Sequence, residues 1–234
     1  MSARSSLRQA ATSSVGRKVL TGVTGLGLTL FVVVHMLGNL LAFSPDESAY
    51  NAYSHKLISL GVLLYAIEIG LLVFVVVHII LGVSIYLRKR AARPIDYTTY
   101  KSAGGASRQT IASRSMIVTG IVLLVFLVIH LTSFKYGPGI SEGYVSNLDG
   151  EEIRDLRRLL FEKFQHAPYA FGYPAVMILL AVHLRHGIWS ALQSLGAMKP
   201  RWSPIIYTAG ALVGALIALG FLVLPLWIYF GGAA

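Results

Sequence analysis

The sequence predicts an all-α integral membrane protein: five transmembrane helices with a cytoplasmic N-terminus, the first four forming a core that the fifth closes. Three observations carry this. The 234 residues are 55% hydrophobic and only 13% charged, where a soluble domain carries about a quarter charged residues. The apolar surplus is segmental, falling in runs at roughly 17–42, 57–87, 114–135, 168–196 and 203–231. Lys and Arg are segregated along the chain.

Each run meets the ~20 helical residues needed to cross a hydrocarbon core. Helix is the form expected, because lipid cannot satisfy open backbone groups. Val, Ile and Leu dominate, yet the length of the runs and their lack of alternation exclude barrel strands. The Ser- and Arg-rich stretch before Lys18 reads as a short cytoplasmic tail rather than a transit peptide, since the first apolar run is too long for a signal core and four more follow. With alternating spans, Arg4, Arg8, Arg17, Lys18, Arg88, Lys89, Arg90, Arg93, Lys101, Arg108, Arg114, Arg185, Lys199 and Arg201 share one side, which is most of the chain's 20 basic residues. Lys56, Lys135, Arg154, Arg157, Arg158 and Lys163 lie on the other, offset by acids in the same loops. The positive-inside rule makes the first side cytoplasmic. The net charge of +10 is thereby a matter of topology and anionic lipid, and it argues against nucleic acid. In the longest outer loop "EEIRDLRRLLFEKF" puts Ile153, Leu156, Leu160 and Phe164 on one face of a helix at about 151–165. That helix lies on the outer membrane surface or caps the bundle. No repeat or second domain is evident, so 1–234 reads as a single membrane domain.

The chain has no cysteine. Disulfides, iron–sulfur clusters on this chain and covalent haem attachment are therefore excluded. It has seven histidines. His55 and His166 fall in outer loops. His35, His78, His130, His183 and His186 lie inside predicted spans, where ionisable groups are costly and usually functional. At ~1.5 Å per residue, His35 and His130 reach a similar level in the outer half. His78 reaches the inner half, as does His183 or His186. One intramembrane histidine alone is more often a hydrogen-bonding link between helices. Four, one per helix and matched in level as two pairs, suit two haems each held by two neutral imidazoles. Glycines 22, 25, 27, 38, 61, 70, 82, 120, 172 and 187 offer room for flat macrocycles in the same four helices. Transport of a metal ion would want carboxylates among the histidines, and the spans offer only Glu68. A proton carrier, or a scaffold whose histidines merely crosslink helices, are the other classes.

The segments "HMLGN" from His35, "NAYS" from Asn51, "YAIE" from Tyr65, "HIILG" from His78 and "HLRHGIW" from His183 resemble the di-haem cytochrome b subunit of succinate:quinone oxidoreductases, the five-helix anchors of succinate dehydrogenases and fumarate reductases. The resemblance runs from about Ser13 into the fifth span. It implies two haem b, with His35 and His130 ligating the outer iron and His78 and His183 the inner one. Gly187, four residues after His183, selects His183 over His186. It implies a flavoprotein with FAD and an iron–sulfur protein as partner subunits, with the dicarboxylate chemistry on those chains. Quinone, menaquinone in such organisms, exchanges electrons within a bacterial cytoplasmic membrane.

Secondary sites are open to two readings each. Arg17, Ser113 and Arg114 stand at the cytoplasmic ends of spans one and three, to hold haem propionates or lipid headgroups. Arg185 pairs with a propionate or snorkels, and His186 lines the pocket or links helices. Glu68 is expected near the midplane as an unpaired, protonated carboxylate, serving quinone or proton transfer or bonding a neighbouring helix. Asn51, Tyr53 and His55 at the outer start of span two form a candidate quinone or proton path, or a loop packed by tyrosines. Asn39 is expected to cap or crosslink.

Overall fold

The computed structural model describes residue 9 and residues 12–92 and 110–231. Five of its helices are long and apolar enough to cross a membrane, and the chain is a multi-pass membrane protein of predominantly helical build. They are α1 (Ser14–Asn39), extended by a 3₁₀ turn over Leu40–Phe43; α3 (Val62–Ala91); α4 (Ile111–His130), extended by a π turn over Leu131–Lys135; α6 (Ala167–Ser194); and α7 (Ser203–Phe230). A short helix α2 (Ser48–Ile58) precedes α3, and α5 (Leu156–Phe164) precedes α6. Arg4, Arg8, Arg93, Lys101 and Arg108 lie outside the described residues.

Two elements depart from expectation. The second span does not begin at residue 57. The Ser59 amide donates to His55 O (2.8 Å) and the Gly61 amide to Ile58 O (3.0 Å), which closes α2. Gly61 then takes φ +54, a left-handed turn natural for glycine, and α3 starts after it. The apolar run is continuous across that break, so hydropathy could not place it.

The outer helix expected over 151–165 is in fact a hairpin followed by a shorter helix. Strand β1 (Val145–Leu148) pairs antiparallel with β2 (Glu151–Arg154) in the register Val145↔Arg154 and Leu148↔Glu151. Asp149 and Gly150 form the two-residue turn with φ +52 and +89, the mirror-image geometry that hairpins favour and that Asp-Gly supplies. Ile153, assigned above to a helical face, is 2% exposed but sits on β2. Asp155 caps α5, its side chain accepting from the Arg158 amide at 2.9 Å. Among the described residues the fold is thus helical with one small β-hairpin.

The chain forms two compact units: Met1–Leu30 with Gly70–Gly120 and Val182–Gly214, and Phe31–Ile69 with Ile121–Ala181 and Ala215–Ala234. In the first, Gly22 lets α6 approach so closely that an added Cβ would lie 3.2 Å from Ala191 Cα. Trp189 meets Tyr207 at 5.7 Å. In the second, a hydrophobic core gathers Tyr50, Phe134, Leu159, Leu160, Phe161, Phe164, Leu224 and Ile228. Helix α5 therefore buries its apolar face in protein and acts as a cap, one of the two readings its sequence allowed.

Helix α5 is tied down at Glu162, whose carboxylate accepts from Tyr144 Oη (2.5 Å) and Arg158 Nε (2.7 Å). The Tyr144 bond first, then Arg158, hold this carboxyl below its usual 4.5. A depressed folded value means the stabilisation is present above 4.5 and is lost as pH falls through the folded value. Acidification below pH 4.5 is expected to loosen the cap, read as faster amide exchange at Tyr144 and Arg158, and Glu162→Gln should flatten that acid dependence.

Candidate functional site

Each unit brings together one pair of histidines from two helices. In the first unit, His78 on α3 and His183 on α6 have ring centroids 6.3 Å apart at 61°. His78 packs against α1, where a Cβ on Gly25 would lie 3.1 Å from its Cε1. Its Nδ1 lies 3.3 Å from Thr21 O and 3.4 Å from Thr24 Oγ1. A carbonyl only accepts, so that contact puts the hydrogen on Nδ1. The His183 ring lies beside α4, 3.7 Å from where a Gly120 Cβ would stand, with Nδ1 2.9 Å from Thr119 Oγ1. His186 turns elsewhere, onto Trp189 at 5.8 Å. The choice that depth left open between His183 and His186 is thus made by side-chain direction, since His183 is the one that meets His78.

In the second unit, His35 on α1 and His130 on α4 have ring centroids 5.6 Å apart at 87°. Aromatic rings enclose them: Phe31 stacks on His35 (5.4 Å), while Phe126 (5.7 Å), Phe134 (5.5 Å) and Tyr173 (6.2 Å) surround His130. Asn39 Nδ2 donates to His35 O at 2.8 Å and lies 3.4 Å from Nε2. Asn39 Oδ1 accepts from Tyr50 Oη at 3.0 Å, so Asn39 crosslinks as expected. Burial raises the Tyr50 phenol above its usual range, keeping it a donor. His130 Nδ1 and Tyr173 Oη are buried without a hydrogen-bond partner.

The expected room at the glycines divides. Gly25 and Gly120 sit against the histidine rings. Gly27 and Gly38 are instead filled, since a Cβ there would lie 2.3 Å from Phe74 and 2.6 Å from Tyr53. Gly22 and Gly61 serve helix contact and a turn.

The secondary candidates disperse. Arg17 donates to Ser84 Oγ at 2.9 Å, on the helix that carries His78. Ser113 caps its own helix, its hydroxyl donating to Thr110 O at 2.8 Å, with Arg114 next to it in the first turn of α4. Arg185 lies over the Tyr207 ring at 5.7 Å. Asn51, 3% exposed, donates to Asp155 Oδ1 and accepts from the Arg157 amide, both at 2.8 Å, stitching α2 to the start of α5. Tyr53 packs on Gly38, and His55 Nε2 pairs with Glu151 at 3.6 Å. Glu68 is not unpaired at mid-helix depth. It lies in the second turn of α3 and forms an ion pair with Lys135. The four residues of the expected quinone path thus each hold a different partner.

Comparison with protein-family models, with curated proteins and with solved structures finds no match.

Among the described residues no three His, Cys, Asp or Glu gather into a metal-binding group. What the chain offers is pairs. Ring centres near 6 Å suit two imidazoles bonded to one ion at about 2 Å each. Two ligands alone are too few for zinc, which takes four, but they are what a metal already held in the plane of a macrocycle needs. The orphaned His130 Nδ1, the apolar shell and the glycines against the His78 and His183 rings fit that group. Thr21, Thr24, Thr119 and Lys135 were missed by sequence reasoning. The available signal was that each is a polar residue in or at the end of an apolar run.

Proposed function

We propose that this chain is the membrane-anchoring di-haem cytochrome b of a succinate:quinone oxidoreductase, acting as a succinate dehydrogenase or, in the opposite direction, a fumarate reductase. One observation carries the reading: two histidine pairs, each drawn from two different helices and each with ring centroids about 6 Å apart. His35 and His130 would hold one haem b, His78 and His183 the other. The irons supply one-electron redox chemistry, which the side chains of this cysteine-free chain do not.

The protein's own part is to bind and to insulate. The imidazoles of His35, His130, His78 and His183 would hold the irons. Phe31, Phe126 and Phe134 keep water from the outer pair. Arg17 and Arg114 are the cations nearest the cytoplasmic ends of α1 and α4 and serve propionates. Electrons pass between an iron–sulfur partner subunit, docked on the basic cytoplasmic side marked by Arg88, Lys89 and Arg90, and menaquinone or another quinone in a bacterial cytoplasmic membrane. A flavoprotein subunit carries the FAD and the dicarboxylate chemistry.

The rival is a scaffold, favoured by the bonds Thr119–His183 and Asn39–Tyr50, which crosslink elements without any cofactor. A reduced-minus-oxidised spectrum of the purified protein separates them. Two haem b per chain, with a flavoprotein and an iron–sulfur protein co-purifying, are expected. A colourless, stable chain would sink the proposal.

A further inference from the structure

The two histidine pairs differ in the polar contacts of their ring nitrogens. This difference has a consequence that rests on the di-haem reading above. Thr119 is 3% exposed, so water does not compete for its hydroxyl. That hydroxyl lies 3.1 Å from Ser115 O and 3.2 Å from Met116 O. Both are carbonyls of the preceding turn and can only accept. The single hydroxyl hydrogen goes to them, the usual back-bond of a helical threonine. The oxygen's lone pairs are left for His183 Nδ1 at 2.9 Å.

We propose that Thr119 is a positioning residue that fixes His183 as its Nδ1–H tautomer and presents the Nε2 lone pair toward His78, giving one haem site a polarised ligand that the other site lacks. His78 is held in the same tautomer by Thr21 O, so Nε2 is left as the acceptor nitrogen of both rings. The His183 ring lies beside Gly120 of α4, 3.7 Å from where a Cβ would stand, an ordinary contact. At the other site His130 Nδ1 is unpartnered, and His35 Nε2 meets Asn39 Nδ2, a donor, at 3.4 Å. A hydrogen bond from the far nitrogen makes a metal-bound imidazole more basic, and a more basic ligand favours the oxidised iron.

The test is a redox titration of the full-length protein in its complex, following both haem components. The component missing from His183→Ala marks the site concerned. In Thr119→Val, which keeps the branched shape and loses the hydroxyl, that component should shift toward the reduced form. The expected change in its reduced-to-oxidised ratio at fixed potential is about tenfold, or about 59 mV for one electron. Thr119→Ser should restore the wild-type value, and the component missing from His35→Ala should not move. Unmoved potentials with both haems retained overturn the proposal while leaving the di-haem function intact, as does an equal shift of both components. Should Thr119→Val fail to assemble, Thr119→Ala, smaller and also without a hydroxyl, gives the same readout. Loss of both haems in Val and Ala alike means Thr119 only crosslinks helices, and overturns it. A wild-type protein without haem overturns the function itself, and this inference with it.

Discussion

On the proposed di-haem function, replacing His130 with alanine is expected to halve the haem content of the purified protein, from two haem b per chain to one. The substitution separates ligation from folding unusually well. His130 Nδ1 makes no hydrogen bond, so removing the ring breaks no polar link between helices. Alanine also has the highest helix propensity, and His130 closes α4. What is lost is packing with Phe126, Phe134 and Tyr173, a cost of about 3–5 kcal/mol by analogy with other aromatic truncations. The remaining haem should be the one held by His78 and His183, because those residues belong to the other unit. A pyridine haemochrome assay on protein of matched concentration gives the ratio. Full retention of two haems in His130→Ala would contradict the assignment of the His35–His130 pair, and His55→Ala, whose ring pairs with Glu151 at 3.6 Å, should leave the ratio unchanged.

The second large effect is expected from Gly137→Ala. A Cβ on Gly137 would lie 2.2 Å from Ser133 O and 2.9 Å from Ser133 C. Those are backbone atoms of the π turn that ends α4, and they cannot rotate away as a side chain can. Nor can the turn easily shift. Arg154 donates to Phe134 O (2.7 Å), Gly137 O (3.0 Å) and Pro138 O (2.9 Å), clamping the same segment from β2. Forcing a methyl group into a packed, clamped turn costs about 3 kcal/mol. The thermal midpoint in detergent should fall by several degrees, and the haem held by His130 should be lost more readily on heating than the other. An unchanged midpoint would mean that the turn is not held as described. Arg154 itself is pushed below its usual value by partial burial, but a guanidinium stays charged through the working pH range, so the clamp persists.

Much of this architecture is legible in the residues. Hydropathy marks all five long helices, because a hydrocarbon core demands a continuous apolar run and nothing else in the chain has one. Each of the four chosen histidines lies in such a run, and the structure sets His35 against His130 and His78 against His183. What was misread follows from local backbone chemistry that a coarse pattern hides. The run from Leu57 to Leu87 is predominantly apolar, yet Gly61 breaks it through a backbone angle that hydropathy does not encode. The spacing of Ile153, Leu156, Leu160 and Phe164 suits a helix, but Asp149-Gly150 makes a hairpin turn just before it. That dipeptide was present in the sequence and outweighs the periodicity. Glu68 was expected alone because Lys135 is 67 positions distant in the chain, and only folding brings the two together.

By itself the sequence determined the helical, membrane-spanning class, the positions of the long helices and the absence of thiol chemistry, since all three depend on composition along a line. Which imidazole of His183 and His186 faces His78, which glycines seat a ring rather than a phenylalanine, and which threonine holds a ring nitrogen were decided only by the tertiary structure. Those are questions of direction around a helix axis, and direction is set by what the neighbouring helix presents.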